Sequence, residues 1–224
     1  MTMSDQHLTT QTTFSDIRIE IDWSLLLEQR TAVLRHTETP AYLLLPEIHQ
    51  LMDSVHQDNL LLMINTLWHT GARISECLAL TPNHFVLESK QPYGSVETLK
   101  SRGRPKRAGR VKPRLVPLCD PHFILQLERY VASHHIRKNE LLFPITRSAA
   151  NKRFDRLVAK MTQKPSIKIT PHVFRHSFAV NAIFHGTPLP VLQGWLGHAD
   201  INSTLVYTQV LSLETYHLMQ RIQY

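Results

Sequence analysis

Cysteine is scarce in this sequence: Cys77 and Cys119 are its two copies in 224 residues. Both lie among apolar neighbours and neither has metal-ligand spacing. They are expected to be small buried hydrophobes in a reducing, bacterial cytoplasmic setting, nucleoid-associated if DNA is the partner. No apolar run approaches the roughly eighteen residues of a membrane span. The N-terminus shows no basic-then-apolar pattern, so no signal peptide is indicated. No internal repeat is visible. Acidic residues disappear between positions 100 and 114, where eight Lys/Arg stand without one Asp or Glu.

That gap belongs to a wider asymmetry. Residues 1–99 hold five Lys/Arg against twelve Asp/Glu, residues 115–224 hold twelve against six, and the formal net charge is +7. A charge run alone equally fits a solvated face. A basic C-terminal body with a concentrated basic stretch points towards a polyanion.

The chain reads as mainly α with a small antiparallel β-sheet. Residues 1–15 are Thr/Gln/Ser-rich and expected to be disordered. Residues 17–21 alternate like a short strand, residues 23–34 carry a helical apolar stripe, and residues 37–40 resemble a linker. A domain boundary is therefore placed after residue 39. Leu45-Pro46-Glu47 opens a helix, with proline near its first turn. Further helices are expected over 60–69 and 74–80. Residues 95–99 and 111–118 read as a β-hairpin with a long basic tip. Beyond it, helices are expected over 121–133, 148–161, 170–184, 189–196, 202–210 and 213–222, with Thr170 as an N-cap and Pro171 at the first helical position.

The chemistry concentrates in three runs. Thr70-Gly71-Ala72-Arg73-Ile74-Ser75-Glu76 holds an arginine on a turn between helices. His172-Val173-Phe174-Arg175-His176 projects an imidazole and a guanidinium from one helix face. Leu196-Gly197-His198 is followed, nine positions after the histidine, by Tyr207. Two arginines, two histidines and a tyrosine can clamp a phosphodiester and let a phenol attack it. Zinc at His172 and His176 is a poor alternative: the glutamate of H-E-x-x-H is missing and no third ligand is evident. No cofactor is implied.

These runs, in this order and spacing, resemble the signature boxes of the tyrosine recombinase (phage integrase) family over roughly residues 40 to 220. The resemblance implies the catalytic domain fold of that family and site-specific recombination of double-stranded DNA through a 3′-phosphotyrosyl intermediate. It implies Tyr207 as nucleophile, with Arg73 and Arg175 on the non-bridging phosphate oxygens. His172 is then the more base-like imidazole and His198 a phosphate donor, although the sequence does not separate the two roles. The final member is a lysine that protonates the leaving 5′-oxygen. Lys100, at the end of the first hairpin strand, has the family-like position, with Lys106 and Lys112 as rivals. Glu76, at i,i+3 from Arg73, fits either a surface salt bridge or a group that orients that arginine. His176 reads as a packing residue or as a support behind the catalytic groups. Arg102, Arg104, Lys106, Arg107 and Arg110 on the tip, and Lys152, Arg153 and Arg156 on the 148–161 helix, are expected to hold the DNA backbone without reading sequence.

Two departures stand out. The hairpin tip is long for the family. The roughly 100 residues of a separate N-terminal DNA-clamping domain do not fit before Leu45. Residues 16–38 are then a reduced arm, or the protein resembles one-domain recombinases such as those that invert fimbrial promoters. A homo-oligomer, a tetramer on paired sites, is expected. Type IB topoisomerase-like relaxation and non-catalytic DNA-binding regulation are the alternatives.

Overall fold

The computed structural model describes residues 21–98, 113–161, 167–212 and 222. Among them the order is α1 (Trp23–His36), α2 (Leu45–Asp53), α3 (Asp58–Thr70), α4 (Ile74–Cys77), a 3₁₀ turn at Pro82–His84, β1 (Phe85–Val86), β2 (Tyr93–Val96), β3 (Arg114–Pro117), α5 (Pro121–Ser133), α6 (Arg147–Lys160), α7 (Pro171–Phe184), α8 (Leu189–Leu196), α9 (Asn202–Leu205) and a 3₁₀ segment over Val206–Ser212. The mainly helical reading with a small antiparallel sheet holds.

Helix α3 is the axis of the molecule. Asp58 sits in its first turn, where a carboxylate complements the helix dipole. Leu62, Met63, Ile64 and Leu67 are fully buried, so α3 is apolar around most of its circumference and must be surrounded. Helices α5 and α7 pack on it, and Phe123, Phe154 and Phe174 complete the large core. Burying each Leu or Ile side chain contributes roughly 1.5–3 kcal/mol. A second, smaller core gathers Ala179, Val180, Ala182, Ile183 and Phe184 of α7, Leu192 and Leu196 of α8, Tyr42, Leu44, and Leu26 of α1. Tyr207 and Val210 belong to it, so the second core seats the candidate nucleophile.

The N-terminal helix is tied to this body. Asp22 caps it by accepting the Leu25 N–H at 3.0 Å, and the buried Arg30 pairs with Glu47 of α2. The 37–40 stretch, expected as a linker, is fastened to the 3₁₀ segment: the Glu38 N–H donates to Gln209 Oε1 at 2.8 Å and the Thr39 hydroxyl to the Val206 carbonyl at 3.4 Å. The expectations for residues 1–15 and 17–20 lie outside the described residues.

The sheet has three strands in the order β1-β2-β3, all antiparallel. Its hairpin pairs Tyr93 with Pro117 and Val96 with Arg114. The ladder begins earlier than the expected 95–99, because Tyr93 and Gly94 pair although a glycine interrupts the strand pattern. Strand β1 was missed, since two residues are too few to show alternation. The 202–210 helix is also corrected. Thr204, Tyr207 and Val210 are buried, and their three-residue spacing suits a 3₁₀ winding, which stacks side chains at i and i+3. Cys77 is buried, as expected, but Cys119 is exposed, because the alternation that turns Arg114, Val116 and Leu118 inward leaves residue 119 on the outer face. The helix expected over 213–222 lies outside the described residues except for Ile222.

Candidate active site

Helix α3 ends at Gly71, whose backbone is left-handed (φ 58°) and whose N–H closes the helix on the Leu67 carbonyl at 3.0 Å. A side chain there would also strike the Phe178 ring, with a Cβ only 2.6 Å from Phe178 Cδ1. Glycine is thus required twice over, by conformation and by space. The sharp turn sets Arg73 at the N-cap of the short helix α4. Three residues on, the Glu76 carboxylate accepts both the Arg73 backbone N–H and Arg73 Nη1, each at 2.9 Å. The Glu76 side chain is fully buried while Arg73 is 35% exposed. The arginine therefore lies in reach of solvent with its base held, which is more than the surface salt bridge allowed by sequence. Burial alone would raise the Glu76 pKa, but hydrogen bonds and charge from Arg114 and Arg73 outweigh it and hold the carboxyl below its ordinary value.

Helix α7 starts at Pro171. Thr170 occupies the N-cap position, but its hydroxyl makes no capping bond; its carbonyl accepts the Val173 N–H at 3.0 Å. His172 sits among the free N–H groups of the first turn, whereas Arg175 lies beyond them. The Arg175 guanidinium is held by tertiary structure instead. It is 3% exposed, and it donates to the Gly71 carbonyl at 2.6 Å and the Leu196 carbonyl at 2.7 Å. One side chain thereby joins all three sequence runs. Burial, then the like charges of Arg73 and Arg114, bring its pKa down to about 10, so it remains a cation at neutral pH with N–H donors to spare.

Gly197 ends α8 in a left-handed conformation (φ 65°), and a Cβ there would lie 3.1 Å from both Arg114 Cδ and Thr98 Oγ1. The glycine lets the sheet approach the turn that carries His198. The imidazole of His198 is hydrogen-bonded through Nδ1 to Thr204 at 2.8 Å and stacks on Tyr207, ring centroids 6.5 Å apart at 10°. Tyr207 itself is 2% exposed. Burial raises its pKa, with Arg175 and Arg73 pulling the other way. Its hydroxyl is hydrogen-bonded at 2.8 Å to Nδ1 of His176, the residue that the sequence offers as packing or as a support behind the site. The i,i+4 spacing of His172 and His176 was the available signal, since it puts both on one face of α7.

Burial is the leading cause of low imidazole pKa values throughout the site. It brings His198 to about 4, with help from Arg175, Arg73 and Arg114. His172 is lowered by burial and then by Arg147, Arg175 and Arg73, with Glu76 opposing. His172 also borders a cavity of about 300 Å³ lined by Arg147, Lys168 and Ile74. The imidazoles are therefore neutral near pH 7 and able to accept or donate a proton.

Arg114 was the unrecognised member. Read from sequence, it was one more charge in the basic run. In the sheet it faces inward beside Val116 and donates to Glu76 at 2.6 Å. The period-2 alternation Arg114, Val116, Leu118 was the signal that could have found it. Glu76 thus bridges the Arg73 turn and the base of the hairpin. Lys100 and the tip residues Arg102, Arg104, Lys106, Arg107 and Arg110, with the rival Lys112, lie outside the described residues. Lys152, Arg153 and Arg156 do not join the cluster. The face of α6 towards His172 presents Arg147, Asn151 and Asp155, while Arg153 and Arg156 line a separate groove with Asp53 and His56.

The described residues contain no cluster of three or more His, Cys, Asp or Glu placed to hold a metal ion, and no described helix is long and apolar enough to cross a membrane. The pattern of the phage integrase family matches residues 42–214. A resolvase of Escherichia coli is 36% identical over 218 residues, spanning 88% of this chain and 84% of the relative. The tyrosine recombinase XerD of Shewanella oneidensis is 31% identical over 169 residues, covering 71% of this chain and 52% of its own. Among solved structures, the XerH site-specific recombinase bound to difH substrate in a pre-cleavage complex superposes with a TM-score of 0.64 at 24% identity, over 83% of this chain and 55% of that one. At that identity the likeness speaks for the fold.

Proposed function

This chain belongs to the phage integrase family and is a tyrosine-type site-specific recombinase acting on DNA, and from that premise we propose that Tyr207 cleaves one strand by attacking its scissile phosphate. The observation that carries the assignment is the Arg175 guanidinium, bonded to the Gly71 and Leu196 carbonyls and within electrostatic reach of Arg73, His172, His198 and Tyr207. The attack forms a bond from the phenol oxygen to phosphorus and breaks the bond to the 5′-oxygen. The 3′-phosphotyrosyl product keeps the energy of the broken strand, so resealing requires neither ATP nor metal. Negative charge gathers on the non-bridging oxygens in the transition state. Arg73, oriented by Glu76, and Arg175, oriented by two carbonyls, are donors arranged before that charge appears, the condition under which electrostatic stabilisation is strongest. His198 and His172 donate hydrogen bonds to the phosphate oxygens.

Lys100 is the general acid for the 5′-oxygen, supported by its family-like place after the first hairpin strand. The tip arginines and lysines, with Lys152, Arg153 and Arg156, contact the DNA backbone. Residues from about 40 onward form the breaking–rejoining domain, with α1 as a short arm packed on it. The protein works as a homo-tetramer on two specific sites in the bacterial cytoplasm, at the nucleoid, and the outcome is integration, inversion or resolution according to how those sites are arranged. Incubation of wild type and Tyr207→Phe with a nicked suicide substrate tests the nucleophile. Wild type is expected to form an SDS-resistant adduct and the variant none, with DNA affinity retained within a few-fold. An adduct with the phenylalanine variant refutes the assignment.

A further inference from the structure

We propose that His176 is the residue that accepts the proton of Tyr207 during strand cleavage and returns it during rejoining. This rests on Tyr207 being the nucleophile.

The geometry carries the inference. Of the three imidazoles in the site, His176 is the one hydrogen-bonded to the phenol oxygen, through Nδ1 at 2.8 Å. Nδ1 accepts from the Tyr207 hydroxyl when the ring proton sits on Nε2. His198 turns its own Nδ1 to Thr204, and the His172 ring lies 6.4 Å from that of His176, beside the Arg147 and Lys168 cavity. The position of His176 is fixed by a well-ordered cause: it follows Arg175 on α7, whose guanidinium is bonded at both ends.

Charge then explains the timing. His176 is held near a pKa of about 4, first by burial and then by His172 and Arg175. Its neighbours are His172 and Arg175 on its own helix, Tyr207 on the 3₁₀ segment, and His198 on the turn after α8. Without DNA, burial and the Arg175 cation disfavour imidazolium, so the phenol keeps its proton and the nucleophile stays quiet. A phosphate seated between Arg73 and Arg175 offsets the Arg175 charge and makes His176 more basic when the proton must move. The O–H bond of Tyr207 breaks with its proton passing to Nδ1, the O–P bond forms, and the P–O5′ bond breaks with the 5′-oxygen taking a proton from the general acid. Rejoining reverses each transfer, and no external reductant or oxidant is involved.

The test uses the full chain with His176→Ala and His176→Gln. Adduct formation on the nicked substrate at saturating protein is followed across neutral and alkaline pH, with and without added imidazole. Both variants are expected to bind DNA normally and to cleave ~10²- to 10⁴-fold more slowly, the usual worth of a positioned general base. Their rates should climb with pH as free phenolate becomes available, where wild type is flat. Imidazole should restore part of the activity to His176→Ala, which leaves a cavity for it, but not to His176→Gln, which retains a hydrogen-bond acceptor without basicity. The glutamine variant also serves should alanine disturb folding. Variants that cleave as fast as wild type or faster, or slowly but without response to pH or imidazole, overturn the proposal. Rescue of His172→Ala instead of His176→Ala overturns it as well. A wild-type adduct that maps to a residue other than Tyr207 would mark failure of the nucleophile assignment, a result separate from all of these.

Discussion

Replacing Glu76 with glutamine isolates the charge that links the arginine turn to the sheet. Glu76 accepts three hydrogen bonds, from the Arg73 N–H, Arg73 Nη1 and Arg114 Nη2 at 2.9, 2.9 and 2.6 Å, with its side chain wholly out of solvent. Glutamine has nearly the same shape, but its NH₂ group must face a donor. The tolerable choice turns the NH₂ towards Arg73, which is 35% exposed and can rotate into water. Arg114, 6% exposed, then keeps its hydrogen bond and loses its counter-charge. Deleting one partner of a buried pair costs about 3–5 kcal/mol, and a charged hydrogen bond contributes about 1.5–3 kcal/mol. A variant that retains some of the bonding should therefore lose about 2–3 kcal/mol at neutral pH.

Urea denaturation of both proteins at a series of pH values measures that loss. The folded-state pKa of Glu76 is depressed from an ordinary value of 4.5. Its contribution is therefore fully present above pH 4.5 and is lost as the pH falls through the folded value. The gap between wild type and Glu76→Gln should close on acidification. Cleavage should fall about tenfold or more in the variant, because the Arg73 fork is no longer held, short of the ~10²-fold or greater loss when a transition-state donor is removed outright. Adding Arg114→Met should cost less than the sum of the single changes, since the two residues share one interaction. Equal stability at neutral pH, or a gap that persists unchanged into acid, refutes this account.

Gly71→Ala should destabilise the fold by at least about 1–2 kcal/mol from the left-handed backbone alone, with the Phe178 contact adding to it; it should also slow cleavage by displacing the carbonyl that anchors Arg175, and wild-type melting and cleavage would refute this. His69, stacked on Phe123 with centroids 4.6 Å apart, is lowered to a pKa of about 4 by burial, against the pull of Asp120. Its folded pKa lies below the unfolded 6.5, so the stability it contributes is full above pH 6.5 and declines as the pH falls from there towards 4. His69→Phe should flatten the pH dependence of stability in that window, and an unchanged slope by denaturant titration would count against it.

Much of the candidate site was legible in the sequence, because its chemistry depends on residue types at short spacings. A turn glycine before Arg73, imidazole and guanidinium three apart on α7, and a histidine nine before Tyr207 are local facts of the chain. The helices at 121–133 and 189–196 were equally plain, since proline near the start and apolar periodicity act within a few residues. Local pattern also limited the reading. It showed His176 as a histidine on an apolar helix and Arg114 as one charge among eight. Their roles arise from partners 31 and 38 residues distant in sequence, Tyr207 and Glu76. Helix periodicity put His176 on the face of His172, but packing of the 3₁₀ segment into the second core set the phenol against it. Strand alternation turned Arg114 inward, but only the close approach of sheet and α4 made Glu76 its counter-ion. The sequence by itself determined which groups were available for chemistry; the tertiary structure decided which of them meet, because long-range packing, not spacing along the chain, sets the distance between a donor and its acceptor.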